Sequence, residues 1–263
     1  MRFRGRGQGS DSVDSTTDPT TTPSGGRGSR PGKRTRLLSV FVVFGALAAF
    51  TRPGRSASRS LARWLDGRVE GFAEPESAAY ARLFAPFLGR LYRRVADDVA
   101  IELASRVRRR KATIVDIGCG TGELVVAIST RVRDARIVGL DSSPSMLLWA
   151  NRHSTPDGRL HFITGDAAVM PFADESVDMV VSTLSLHHWH EPASVFAEIA
   201  RVLRPGGVAL IYDPKLVTFT GSEMAEIAVS ADLEPSDISR EGVRGAMLSR
   251  LFVRFRLEGL PEE

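Results

Sequence analysis

The chain has a single cysteine, Cys119, in 263 residues. One thiol excludes an intramolecular disulfide framework and suits a reducing compartment. Residues 1–36 contain almost no large apolar side chains, so ordering them would cost chain entropy with no burial to offset it. They read as a disordered basic arm. Uncharged runs long enough to cross a bilayer are also lacking. Leu37 to Phe50 is a run of 14 residues between Arg36 and Arg52. As a helix it would reach about 21 Å, against a hydrocarbon core of roughly 30 Å. Net positive charge is lacking beyond residue 63: residues 1–63 hold 12 Arg or Lys and 3 Asp or Glu, which leaves 23 basic and 28 acidic side chains in residues 64–263. A mildly acidic body does not advertise nucleic-acid binding, and no nucleic-acid partner is expected. The hydrophobic fraction of 43% suffices for a packed core.

The stretch Thr113–Glu123 organises what is present. Ile114, Val115 and Ile117 form the apolar run of a strand covered on both faces. Gly118, Gly120 and Gly122 then allow a sharp turn and close approach of the backbone to a ligand. A helix starting near Thr121 would aim its unpaired N–H groups and positive dipole end into the same space. The spacing is G-x-G-x-G behind Asp116, without the third glycine of a pyrophosphate-binding G-x-G-x-x-G turn. Arg136–Asp141 is a second short apolar run, and its terminal acid lies 19 positions after Gly122. Gly165-Asp166-Ala167 follows the strand pattern Leu160–Ile163. Met170–Val180 leads into a fourth strand, and Arg201–Gly207 joins a helix to a fifth.

These blocks, in this order from about Val115 to Asp213, resemble the motif series of class I S-adenosylmethionine-dependent methyltransferases acting on small-molecule or lipid-like acceptors. Strands near 113–117, 136–140, 159–163, 177–183 and 207–213 alternate with helices near 121–132, 144–151 and 191–203. That alternation predicts right-handed βαβ crossovers and a parallel sheet. Helix periodicity from Glu76 continues through Leu103, with Pro86 expected to break or kink it. A helix near 222–233 and strand patterns near 234–240 and 250–257 follow. By the resemblance they complete a Rossmann-like, doubly wound α/β sheet of seven strands, mostly parallel with one antiparallel strand.

The resemblance implies S-adenosyl-L-methionine as cofactor. Gly118, Gly120 and Gly122 would frame its amino-acid portion, and Asp116 would order the loop or meet the ammonium through water. Asp141 would hold the ribose, with Ser142 and Met146 on the adenine side. Asp166 would accept from the adenine amino group and the Ala167 N–H would donate to a ring nitrogen, unless Asp166 is simply a turn-forming acid. Ser182, at the end of the fourth strand, joins this cofactor set. Methyl transfer from a sulfonium needs alignment and exclusion of water, and a general base only if the acceptor must lose a proton. Candidates for that base are His187, His188 and Asp213. Three histidines in four residues suggest a metal, but adjacent histidines point apart, and no metal is expected.

The expected organisation is an arm (1–36), an apolar helix (37–50), a linker (51–75) and the catalytic domain (76–263). Residues 37–50 could anchor the chain in a membrane, lie at its surface, form a signal peptide or pack on the domain; the placement expected is the cytoplasmic side. Two rivals remain at this point. One is an NAD(P)-dependent oxidoreductase, and the other a non-catalytic, membrane-held protein that binds S-adenosylmethionine. Oligomeric state is not encoded in any motif.

Overall fold

The computed structural model describes residues 74–106, 111–154, 157–214, 218–239 and 252–259, all within one compact unit, Gly45–Glu263. The proposed arm and apolar helix, residues 1–50, lie outside the described residues. In chain order the elements are α1 (Glu74–Arg106), β1 (Ala112–Ile117), α2 (Glu123–Arg131), β2 (Ala135–Asp141), α3 (Pro144–His153), β3 (Leu160–Thr164), β4 (Val177–Thr183), a 3-10 turn (Leu186–His188), α4 (Pro192–Val202), β5 (Leu203–Pro214), α5 (Gly221–Ser230), β6 (Leu233–Ser239) and β7 (Phe252–Gly259). The strands form one sheet in the order β3-β2-β1-β4-β5-β7-β6. β7 runs antiparallel to β5 and β6, and the pairs from β3 to β5 are parallel.

Alternation along each strand feeds two hydrophobic layers. Val115 and Ile117 of β1, with Ala209 and Ile211 of β5, pack with Phe196 of α4 and Met224 of α5. Ile114, Leu210 and Tyr212 face the other way, onto Val95 of α1, Leu124 of α2 and Leu147 of α3. The period-two pattern of a strand with both faces covered thus places helices on both sides. The chain runs outward from β1 to β3 and then returns to β4 beside β1. That reversal opens a crevice at the carboxyl ends of β1 and β4, where ligands bind in open α/β sheets.

Two expectations change. Helix α1 begins at Glu74, two residues inside the expected linker, and runs unbroken through Pro86 to Arg106. A proline removes one intrahelical bond and strains the turn before it, a loss that the long packed face beyond it, from Leu91 to Leu103, offsets. Arg106, at the end of α1, bonds Gly206 O at 2.8 Å and Glu258 at 2.9 Å. It fastens the end of α1 to β5 and β7.

Candidate active site

The turns that leave β1, β2 and β4 at their carboxyl ends contribute to one cluster. Gly118, Gly120 and Gly122 have φ of 69, 53 and 83°, the left-handed region that glycine enters without strain. The three serve different needs. A Cβ on Gly118 would lie 2.1 Å from Ser185 Oγ, and one on Gly122 would lie 2.8 Å from the Phe162 ring. A Cβ on Gly120 would meet nothing within 4 Å, so this is the glycine that faces open space. Gly118→Ala is therefore expected to cost about 2–5 kcal/mol by overpacking and left-handed strain together. Gly120→Ala carries only the strain, about 1–2 kcal/mol. Denaturant unfolding of both variants checks the order.

Asp141 ties the glycine turn to the tip of β2. Its Oδ2 accepts from Gly120 N and its Oδ1 from Ser143 N, each at 2.8 Å. Burial raises the Asp141 pKa, opposed by those two N–H groups and by the nearby His188 charge. Each carboxylate oxygen still has acceptor capacity beyond its one backbone bond. Ser143 caps α3, with Pro144 at its first position. Met146 is buried one turn into α3, while Ser142 is exposed.

Asp116 is the anomaly of the cluster. It is 1% exposed, and neither carboxylate oxygen has a hydrogen-bond partner. Burial, then the charges of Asp141 and Glu123, push its pKa well above the ordinary carboxylate range. A buried orphan carboxylate is costly and calls for a missing donor or counter-charge. Cys119 is likewise pushed up by burial, which keeps the thiol protonated and inert.

The segment after β4 folds over Gly118. Leu184 takes φ 60°, rare for a branched side chain, and its N–H bonds Tyr212 O at 2.9 Å. Trp189 Nε1 donates to Ser185 Oγ at 2.9 Å, and its ring meets Phe196 edge-on. This arrangement presents His187, whose Nδ1 is 2.8 Å from Oδ1 of Asp213. Asp213 is fully buried, and its Oδ2 has no partner. His188 is exposed, with its ring 4.0 Å from that of His187.

Not every expected site residue converges here. Ser182 is fully buried and gives its hydroxyl proton to Ile117 O at 3.0 Å; it fastens β4 to β1 and offers no surface to a ligand. Asp166 is exposed, and its Oδ1 accepts from Ala168 N at 2.9 Å, the behaviour of a turn-forming acid, while Ala167 packs against the core. Sequence reading missed Glu123, which faces Asp116, and Ser185, which sets the distance between the histidine turn and Gly118. A helix-starting acid and a serine four positions before a tryptophan are too common to single out. Among the described residues, no group of three or more His, Cys, Asp or Glu is placed to hold a metal ion.

Residues 115–211 match the family model described as a methyltransferase domain. Over that stretch the chain carries a methyltransferase domain. It is similar to malonyl-[acyl-carrier protein] O-methyltransferase of Xylella fastidiosa, at 38% identity over 41% of this chain and 36% of that one. It also resembles a ubiquinone/menaquinone biosynthesis C-methyltransferase of Dinoroseobacter shibae, at 30% identity over 56% of this chain and 59% of the relative. A solved structure from Methanococcus maripaludis superposes with TM-score 0.58 at 20% identity, covering 74% of this chain and 96% of the other. At that identity the likeness shows the fold. The chain spans between 34% and 59% of the length of the curated relatives it matches.

Proposed function

We propose that this methyltransferase domain transfers the methyl group of S-adenosylmethionine to a small-molecule or lipid-like acceptor. The observation that carries the reading is the orphaned Asp116 carboxylate behind a glycine turn whose Gly120 faces open space. A buried anion there suits a ligand bearing an ammonium and repels the pyrophosphate of a dinucleotide, which disfavours the oxidoreductase rival. In this reading Gly118, Gly120, Gly122 and Asp116 hold the amino-acid end of the cofactor, and Asp141 takes the ribose hydroxyls on its remaining lone pairs. Met146 and Ser142 border the adenine, and the Asp166–Ala167 turn offers it polar contacts. The bound cofactor supplies an activated methyl group. The protein aligns the acceptor, excludes water and, through His187 and Asp213, takes a proton where the acceptor has one to lose. Relatives named for malonyl-[acyl-carrier protein] and quinone methylation support a small-molecule acceptor. Calorimetry on the full chain should show binding of S-adenosylmethionine and its demethylated product and none of NAD or NADP; the reverse pattern would sink the reading. Transfer of labelled methyl to any component of a lipid and small-molecule extract distinguishes an enzyme from a non-catalytic binder.

Asp141→Ala removes the ribose acceptor and also strands the N–H groups of Gly120 and Ser143. The expected loss of cofactor affinity is at least about 2–4 kcal/mol. Asp141→Asn keeps only one acceptor oxygen for two backbone donors, so it should lose more than a plain acceptor swap. Calorimetric titration of the two variants tests this, and parent-like affinity in Asp141→Ala would remove the ribose assignment.

The basic arm and Leu37–Phe50 would hold the enzyme at the cytoplasmic face of a membrane. Each flanking arginine adds up to about 1 kcal/mol at an anionic surface, a part that fades with salt, whereas burial of apolar residues does not. Deleting residues 1–63 should leave cofactor affinity unchanged and abolish co-sedimentation with anionic vesicles. A full-length chain that never sediments would rule the anchor out.

A further inference from the structure

We infer that the outer edge of β3 is a dimer interface, where β3 of a second copy of this chain adds antiparallel across a two-fold axis at Phe162. The inference is independent of the methyl-transfer reading. Among the described strands, β3 and β6 are the two ends of the sheet. An end strand presents a row of backbone groups that templates further pairing unless it is blunted. The two ends differ in this respect. β6 carries Pro235, a register break between Pro235 and Asp237, and acids at Glu234 and Asp237. Those are features that close an edge to pairing. β3, Leu160–Thr164, has no proline, no Asp, Glu, Lys or Arg, and no break in its register with β2.

The ladder fixes which groups that edge offers. Ile137 N–H donates to Arg159 O at 2.9 Å, and Gly165 N–H donates to Asp141 O at 3.0 Å. Alternate residues of a parallel strand bond the same neighbour, so Arg159, His161, Ile163 and Gly165 turn their backbone groups to β2. Leu160, Phe162 and Thr164 turn theirs outward. Asp157 O takes the Leu160 N–H at 2.9 Å, which leaves Leu160 O and both groups of Phe162 and Thr164 for another strand. The surroundings are uncharged. His161 and Thr164 are exposed, and residues 165–176 join β3 to β4 without a helix. On the His161 and Ile163 side the strand is therefore flanked by Ala167, Ala168 and Phe172, only partly buried, and by Val169, 74% exposed.

A second copy is the occupant that closes this edge. Contact from β3 of one copy to β6 of the next would propagate without closing, and Pro235 and the register break of β6 oppose it. Contact from β3 to β3 closes as a pair. Centred on Phe162 and antiparallel, each Phe162 exchanges both backbone bonds with its counterpart, and each Thr164 N–H donates to Leu160 O of the other copy. Charge favours the same order. Helix α3, which lies against β3, ends in Arg152 and His153, both exposed, at the amino end of β3. Asp166, also exposed, follows its carboxyl end. Antiparallel pairing brings Asp166 of each copy to the end that holds Arg152 and His153 of the other, whereas parallel pairing would set acid beside acid.

The test applies sedimentation equilibrium and amide hydrogen exchange to the full chain. The expected result is a dimer, with the Phe162 and Thr164 amides gaining protection as concentration rises. Thr164→Pro deletes an outward N–H that β2 does not use and should weaken the dimer at least about 10-fold. His161→Lys puts a charge on the exposed edge and should weaken it comparably, with the melting temperature of the single chain unchanged. Asp166→Lys and Arg152→Glu should each weaken it about 10-fold, and the double variant should recover most of that loss. A chain that stays monomeric with a freely exchanging Phe162 amide, or a dimer indifferent to both Thr164→Pro and His161→Lys, overturns the interface. Phe162 protection that appears only when cell extract is added to a monomeric chain assigns the edge to a foreign strand and overturns the second copy. A double charge variant weaker than either single one overturns the antiparallel order.

Discussion

Asp213→Asn is expected to lower turnover by about 100- to 10,000-fold with cofactor affinity unchanged. The carboxamide is the same size, so packing around this fully buried position survives. What changes is the proton on the imidazole. With a carboxylate at Oδ1, Nδ1 of His187 must donate across the 2.8 Å contact, which leaves the lone pair on Nε2. An amide can present its NH2 instead, which turns the lone pair toward residue 213 and leaves Nε2 protonated and unable to act as a base. His187→Asn should fall as far, and the double variant no further, because the two residues act as one unit. The ligand-free protein should be as stable as the parent or more so, since a buried and half-satisfied charge has been removed. Single-turnover methyl transfer, with thermal unfolding as the control, decides it. Parent-like turnover in Asp213→Asn would end the case for proton transfer at this pair.

A second large effect is expected at Asp116, where stability and binding should move in opposite directions. Its pKa is raised in the ligand-free fold, chiefly by burial and further by Asp141 and Glu123. A raised acid binds its proton more tightly folded than unfolded. Below the ordinary carboxylate range both states are protonated and the group contributes nothing. Between that range and the raised value the folded state holds the extra proton, so stability falls as pH rises across this window. Asp116→Asn should therefore raise the melting temperature of the ligand-free protein at neutral pH and flatten its decline as pH rises above the ordinary carboxylate range. The same substitution should weaken S-adenosylmethionine about 10- to 1,000-fold, because the counter-charge for the ammonium is gone. In the parent, a cationic ligand lowers the Asp116 pKa, so binding should release a proton within the same window. Calorimetry in two buffers of different ionisation enthalpy measures that proton directly. A variant that binds as well as the parent, with no proton released by either, would show that Asp116 serves only to shape the turn.

Much of the architecture was legible because strands covered on both faces leave continuous apolar runs, and glycine turns leave spacing. The apolar runs at Ile114–Ile117, Arg136–Leu140 and Val177–Thr183 matched β1, β2 and β4 to within one or two residues. The antiparallel β7 was readable from Phe252, Val253, Phe255 and Leu257, and its pairing from the resemblance. Pro86 misled, because local propensity at one residue cannot register the burial of a helix face that continues to Leu103. Ser182 misled for a related reason: position at a strand end does not reveal that its hydroxyl is spent on Ile117 O.

The sequence by itself determined the class of fold, the order of its elements, the glycine turn and the acids at the strand ends. These are local matters of periodicity, backbone freedom and spacing. Only the tertiary structure decided which acid is satisfied and which is not. Asp141 is held by Gly120 and Ser143 across two turns, whereas Asp116, two positions before the first glycine, has no partner at all. Only folding, too, brought His187 against Asp213, 26 positions away, by setting β5 beside β4. Partnership between polar groups depends on distances of a few tenths of an ångström between distant segments, and no pattern along one chain carries that information.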